Sequence, residues 1–71
     1  MSSVFDGARL RRIRTRRGLT LEQVAGMAGV SIPTVCRWEL GQTQPIVGTV
    51  FDLAAALGVP LADLMTVREL V

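Results

Sequence analysis

An all-α domain of five short helices is predicted by three observations. Apolar residues recur three and four positions apart rather than in alternation, glycines 18, 29, 41 and 58 stand where successive periodic runs stop, and aromatics are 4% of a chain that is 49% hydrophobic. Packing of Leu, Val and Ala between helices is therefore favoured over stacked sheets. With 71 residues there is room for one domain. A chain of this size buries only about 60% of its unfolded surface, so its stability is marginal and part of its apolar surface is available for a contact between copies.

The first helix is expected over residues 6–17, with Asp6 as N-cap and Gly18 as its stop; Leu10 and Ile13 face inward, and Arg14 and Arg17 follow on the same side. Residues 20–28 form the second, opened by the capping-box pattern Thr20-Leu-Glu-Gln23. The third covers residues 31–40. Ser31 caps it, and Pro33 is tolerated because the first turn has no intrahelical N–H bond to lose. After a loop at 42–45 comes a fourth helix, 46–57, with Val50, Leu53, Ala54 and Leu57 as its buried stripe and no evident side-chain N-cap. Gly58 closes it, and Pro60 opens a short fifth helix, 60–65, that adds Leu61 and Leu64 to the core. Residues 66–71 are left as an apolar C-terminal tail, too short to fold alone.

Within this frame, residues 21–38, LEQVAGMAGVSIPTVCRW, carry the spacing of two perpendicular helices. Ala25 is small enough for a close crossing, Gly29 can take the positive φ that ends the second helix, and Val30, Val35 and Trp38 turn inward. That is a helix-turn-helix. Its second helix leaves Ile32, Pro33, Thr34 and Arg37 outward, where a recognition helix presents side chains to the major groove of double-stranded DNA.

Four runs, LRRIR (10–14), GLTLEQVAGMAGVS (18–31), TVCRWELGQTQP (34–45) and LAAALGVPLADL (53–64), resemble the phage repressor and Cro family of XRE-type helix-turn-helix regulators in order and spacing. The resemblance implies a compact five-helix, lambda-repressor-like domain. It also implies sequence-specific transcriptional regulation, most simply a repressor occupying an operator as a homodimer. Arg14 and Glu39 are similar to the family's buried arginine and glutamate, a pair that joins the first helix to the end of the recognition helix; the alternative is two solvated surface charges. The chain departs from the family pattern at Leu21, where relatives commonly carry a polar residue, and at Leu40, where basic or amide residues are frequent, and the following loop carries Gln42 and Gln44, which bring no full charge.

Thr34 and Arg37 are the candidate base readers. Arginine can bond guanine O6 and N7 together, threonine offers a hydroxyl and a methyl, and Ile32 and Pro33 offer apolar contact to thymine methyl groups. Arg37 could otherwise be an ordinary surface cation against phosphate. Phosphate contacts are expected from Arg9, Arg14, Arg16 and Arg17, from Thr20 and the Leu21 amide at the start of the second helix, and from Ser31, Gln42 and Gln44. Trp38 is read as core, and Cys36 as an inert small side chain. The dimer contact is expected at Phe51, Met65, Val67, Leu70 and Val71.

Net charge is only +2, but six of the eight cations, Arg9, Arg11, Arg12, Arg14, Arg16 and Arg17, fall in the first helix. They give one end of the molecule a positive field. One cysteine and no histidine exclude an internal disulfide and leave no nucleophile, base and metal constellation, so neither an enzyme nor a cofactor, metal or small-molecule ligand is expected. No apolar run approaches the roughly 20 residues that span a bilayer, and residues 1–5 lack the features of a signal peptide; a soluble cytoplasmic protein follows. A second reading keeps the fold but discards the DNA. In it Leu21, Ile32 and Leu40 form an apolar patch for a protein partner, and the departures above motivate it.

Overall fold

The computed structural model describes residues 2–69. Strand β1 (Ser2–Phe5) leads into helices α1 (Gly7–Arg16), α2 (Leu21–Ala28), α3 (Ile32–Glu39) and α4 (Val47–Leu57), then a 3-10 helix (Leu61–Leu64) and strand β2 (Met65–Arg68). Most of these boundaries are set by local chemistry. The Asp6 carboxylate accepts the Ala8 and Arg9 amides at 3.0 and 3.4 Å, and Thr20 and Gln23 complete a reciprocal capping box at 3.0 and 2.8 Å. Helix α4 starts at Ile46 with no side-chain cap.

Helix α2 ends at Gly29, whose φ of 68° is left-handed, and the Val30 amide returns to the Ala25 carbonyl at 3.0 Å. This turn sends α3 across α2, and α2 also packs on α4. Leu10, Val24, Val35, Leu53 and Leu64, one from each of the four α-helices and the 3-10 helix, are fully buried, with Trp38, Val50, Ala54 and Leu57 around them. Each fully buried leucine or valine stabilises the fold by about 1.5–3 kcal/mol relative to exposure.

The fold is mainly helical rather than all-α, and the C-terminal third departs from the sequence expectation in two respects. The fifth helix, expected over 60–65, is a four-residue 3-10 helix: the Asp63 amide bonds to the Pro60 carbonyl at 3.0 Å, and Met65 is already extended. The expected free tail is in part a strand. β2 pairs antiparallel with β1, with Ser3 opposite Val67 and Phe5 opposite Met65. The Asp6 amide then donates to the Leu64 carbonyl at 2.8 Å, so the pairing runs into the first helix cap. Phe5 is buried and Met65 packs against the core, which explains why four-residue strands persist in so short a chain. No helix among the described residues is long and apolar enough to cross a membrane.

Candidate nucleic-acid interface

Helix α3 is fixed from inside by Val35 and Trp38, both buried, while Ile32, Pro33, Arg37 and Leu40 are exposed and Thr34 and Cys36 half-buried. Its first turn is closed by Ser31, whose hydroxyl accepts the Thr34 amide at 3.4 Å and shares a hydrogen with the Thr34 hydroxyl at 2.8 Å. Only one hydroxyl hydrogen of that pair remains for an outside partner. Arg37 has no ion-pair partner among the described residues.

The far end of α3 is tied to α1. Arg14 Nε and Nη2 donate to the two Glu39 carboxylate oxygens at 2.7 and 3.0 Å, and Nη1 donates to the Leu19 carbonyl at 3.0 Å. With side chains 13% and 6% exposed, this fork is shielded rather than solvated. The hydrogen bonds that Arg14 donates to Glu39 raise the Arg14 pKa above the ordinary arginine range; burial opposes the shift and Glu39's charge adds to it. A raised cation pKa stabilises the fold at every pH below the unfolded value, so the Arg14 contribution is constant through neutral pH. Three of five guanidinium hydrogens are spent and two stay free.

The capping box satisfies Thr20 and Gln23, leaving the Leu21 and Glu22 amides as first-turn donors without a described partner. Leu21 is half-buried and packs against the core on one side. One cleft gathers Arg11, Arg14, Leu21, Cys36, Glu39 and Leu40. The remaining arginines of α1 are elsewhere. Arg9, Arg12 and Arg16 line a cleft with Asp63, Arg16 and Arg17 another with Val59, and Arg9 is bridged to Asp6 at 3.5 Å. Of the four arginines expected at phosphates, Arg14 alone shares the cleft beside α3, because about 100° of rotation per residue carries the others around the helix.

Gln42 and Gln44 are exposed in the loop after α3, where the Gln42 amide donates to the Arg37 carbonyl at 2.9 Å. Two groups on this side escape sequence reasoning. Arg11 joins Arg14 in the α3 cleft, a placement readable only once the helix phase is known. Arg68 shares another cleft with Leu40, Thr43 and Gln44, and the strand that puts it there pairs with residues 60 to 66 positions away. Among the expected dimer residues, Phe51 and Val67 are exposed on α4 and β2, and Met65 is half-buried. Leu70 and Val71 lie outside the described residues.

Comparison with known proteins adds an independent observation. The Helix-turn-helix family profile matches residues 10–64. The helix-turn-helix-type transcriptional regulator DdrOP3 of Deinococcus deserti is 40% identical over 57 residues, 80% of this chain and 44% of that protein. RstR, the transcriptional repressor of the cryptic phage CTXphi of Vibrio cholerae, is 37% identical over 62 residues, 87% of this chain and 56% of RstR. The chain thus spans about half the length of each. Among solved structures, the biofilm master regulator SinR in complex with DNA superposes with a TM-score of 0.72 at 29% identity, covering 82% of this chain and 97% of that one.

Proposed function

This chain belongs to the helix-turn-helix family, and from that premise we propose that it is a sequence-specific, double-stranded DNA-binding regulator of transcription, a homodimeric repressor working in the cytoplasm. The observation that carries the reading is the disposition of α3. Its outer face projects from a frame locked by the Arg14–Glu39 fork, next to the unspent edge of the Arg14 guanidinium and the open Leu21 and Glu22 amides. Such a frame sets a helix into the major groove while the flanking donors hold the backbone.

In this reading Arg37 contacts a guanine, with Ile32 and Pro33 beside it. Arg14, Arg11, the Ser31 hydroxyl, the α2 amides and the loop glutamines meet phosphates. Arg9, Arg16 and Arg17 contribute through the field they create rather than through contact. The dimer forms on α4, where Val47 and Phe51, one turn apart, are 72% and 54% exposed and Ile46 precedes them. Met65 is turned to the core and has less to offer a partner. No catalysis is assigned to the chain.

The test is titration of a random-sequence duplex pool and of sites selected from it. A dimer touching about six phosphates gives a log–log salt slope near −5. Salt-insensitive binding would contradict the reading. No binding even at low salt would favour a protein-docking module built on Leu21, Ile32 and Leu40.

A further inference from the structure

The exposed face of α3 is almost devoid of hydrogen-bonding groups. At about 100° per residue, Ile32, Cys36 and Pro33 fall within one arc of the helix, Arg37 borders that arc, and Leu40 continues it toward the C-terminus. Ile32 and Leu40 are 44% and 61% exposed. Thr34 lies to the other side, half-buried, with its hydroxyl already engaged by Ser31 at 2.8 Å. The base-facing chemistry is therefore dominated by one guanidinium set against an apolar strip, with the one remaining hydroxyl hydrogen of the Ser31–Thr34 pair at its margin.

We propose that this face recognises DNA chiefly through pyrimidine 5-methyl groups, so that its half-site is a guanine accompanied by thymines. The inference rests on the DNA-binding reading above and names the sequence class that reading leaves open. In the major groove the thymine methyl is the one apolar group; the remaining base edges present N7, O6, N6, N4 or O4. An isoleucine or proline pressed on those polar edges strips their water and returns no hydrogen bond, a cost that the methyl does not incur. The strip thus attracts thymine and also rejects its competitors. Arg37 adds the single bidentate donor, which suits guanine.

A chemical consequence follows. Cytosine lacks the methyl, but 5-methylcytosine carries it at the same ring position. A strip without hydrogen-bonding groups has little means to separate thymine O4 from cytosine N4. Methylation of a cytosine within the half-site should then substitute in part for thymine and make occupancy responsive to cytosine methylation.

The experiment starts from sites selected by the full chain out of a random duplex library. Each thymine of the preferred half-site is replaced in turn by deoxyuridine, which removes only the methyl. The expected result is a loss of about fourfold in affinity for each contacted thymine, the equivalent of one buried methyl, with the salt slope unchanged. At the same positions 5-methylcytosine should bind more tightly than cytosine. Ile32→Ala, on an exposed residue and with its melting temperature checked, should abolish the deoxyuridine penalty at one thymine. Specific binding that is indifferent to deoxyuridine, or a selected half-site without thymine, would overturn the inference while leaving DNA binding intact. Failure to bind any duplex would instead remove the DNA-binding reading, and this inference with it.

Discussion

Gly7 and Arg14 are the two residues on which the setting of α3 depends, for opposite reasons. Gly7 is buried against the last turn of α3, and a Cβ there would overlap the Trp38 carbonyl oxygen, a backbone atom that cannot swing aside. Gly7→Ala should therefore cost about 1–3 kcal/mol through overpacking, seen as a lower melting temperature, and should weaken DNA binding by shifting α1 against α3. An unchanged melting temperature would mean that the two helices have room to separate. Arg14→Ala acts by removal instead. It strands the Glu39 carboxylate, shielded from water, and should cost about 3–5 kcal/mol. Arg37→Ala provides the contrast: exposed and unpaired among the described residues, it should leave melting within about 0.5 kcal/mol yet lose about 1–3 kcal/mol on the preferred site. If Arg37→Ala weakened every sequence equally, Arg37 would be a phosphate contact.

At the scale of elements, the small sheet changes the meaning of the C-terminus. Removing residues 66–71 takes away three of the four β2 residues opposite β1 and uncovers Phe5 and Met65. The truncated chain should melt at a clearly lower temperature and lose protection of the Val4 amide, which faces Thr66 in the bonded register, in hydrogen exchange. Unaltered melting would show that the strand pair adds little to the fold. The four α-helices are legible in sequence because their signals are local: Asp6, Thr20 and Ser31 cap from one residue outside, and Gly29 and Gly58 stop the chain from one residue beyond. The sheet is not legible, since Ser-Ser-Val-Phe and Met-Thr-Val-Arg are too short to show alternation and find each other only across the whole chain. The site divides in the same way. The outer face of α3 follows from period alone. By contrast, six arginines that look like one patch in sequence are dealt around α1 to different clefts, and the close approach at Gly7 is a tertiary contact with no local mark.

Considered as a whole, the molecule carries a set of α1 arginines spread over several clefts and an uncovered apolar strip on α4, and in the proposed function the two features bear on different steps of binding. In the proposed function the arginines of α1 would draw the protein toward DNA with little regard for sequence, a field effect that salt screens. Occupying an operator stably needs more than one copy of α3, because a single half-site offers few phosphates and one guanine contact. In the dimer proposed above, pairing through Ile46, Val47 and Phe51, all exposed, would supply the second copy. To serve two half-sites, a two-fold axis through these residues would have to set the two recognition helices one turn of the groove apart, about 34 Å. Phe51→Glu should dissolve that arrangement, since it places two like charges on the axis in a low-dielectric contact. The side chain is exposed, so the monomer should fold and melt much as a dissociated wild-type monomer does. Sedimentation at micromolar concentration should then give a monomer, and the salt slope should fall to about half that of the dimer as the number of phosphates touched is halved. Preference within one half-site should survive, because α3 is unchanged. A Phe51→Glu protein that still sediments as a dimer would move the interface to another surface, with Val67 on β2 the next exposed apolar residue to substitute.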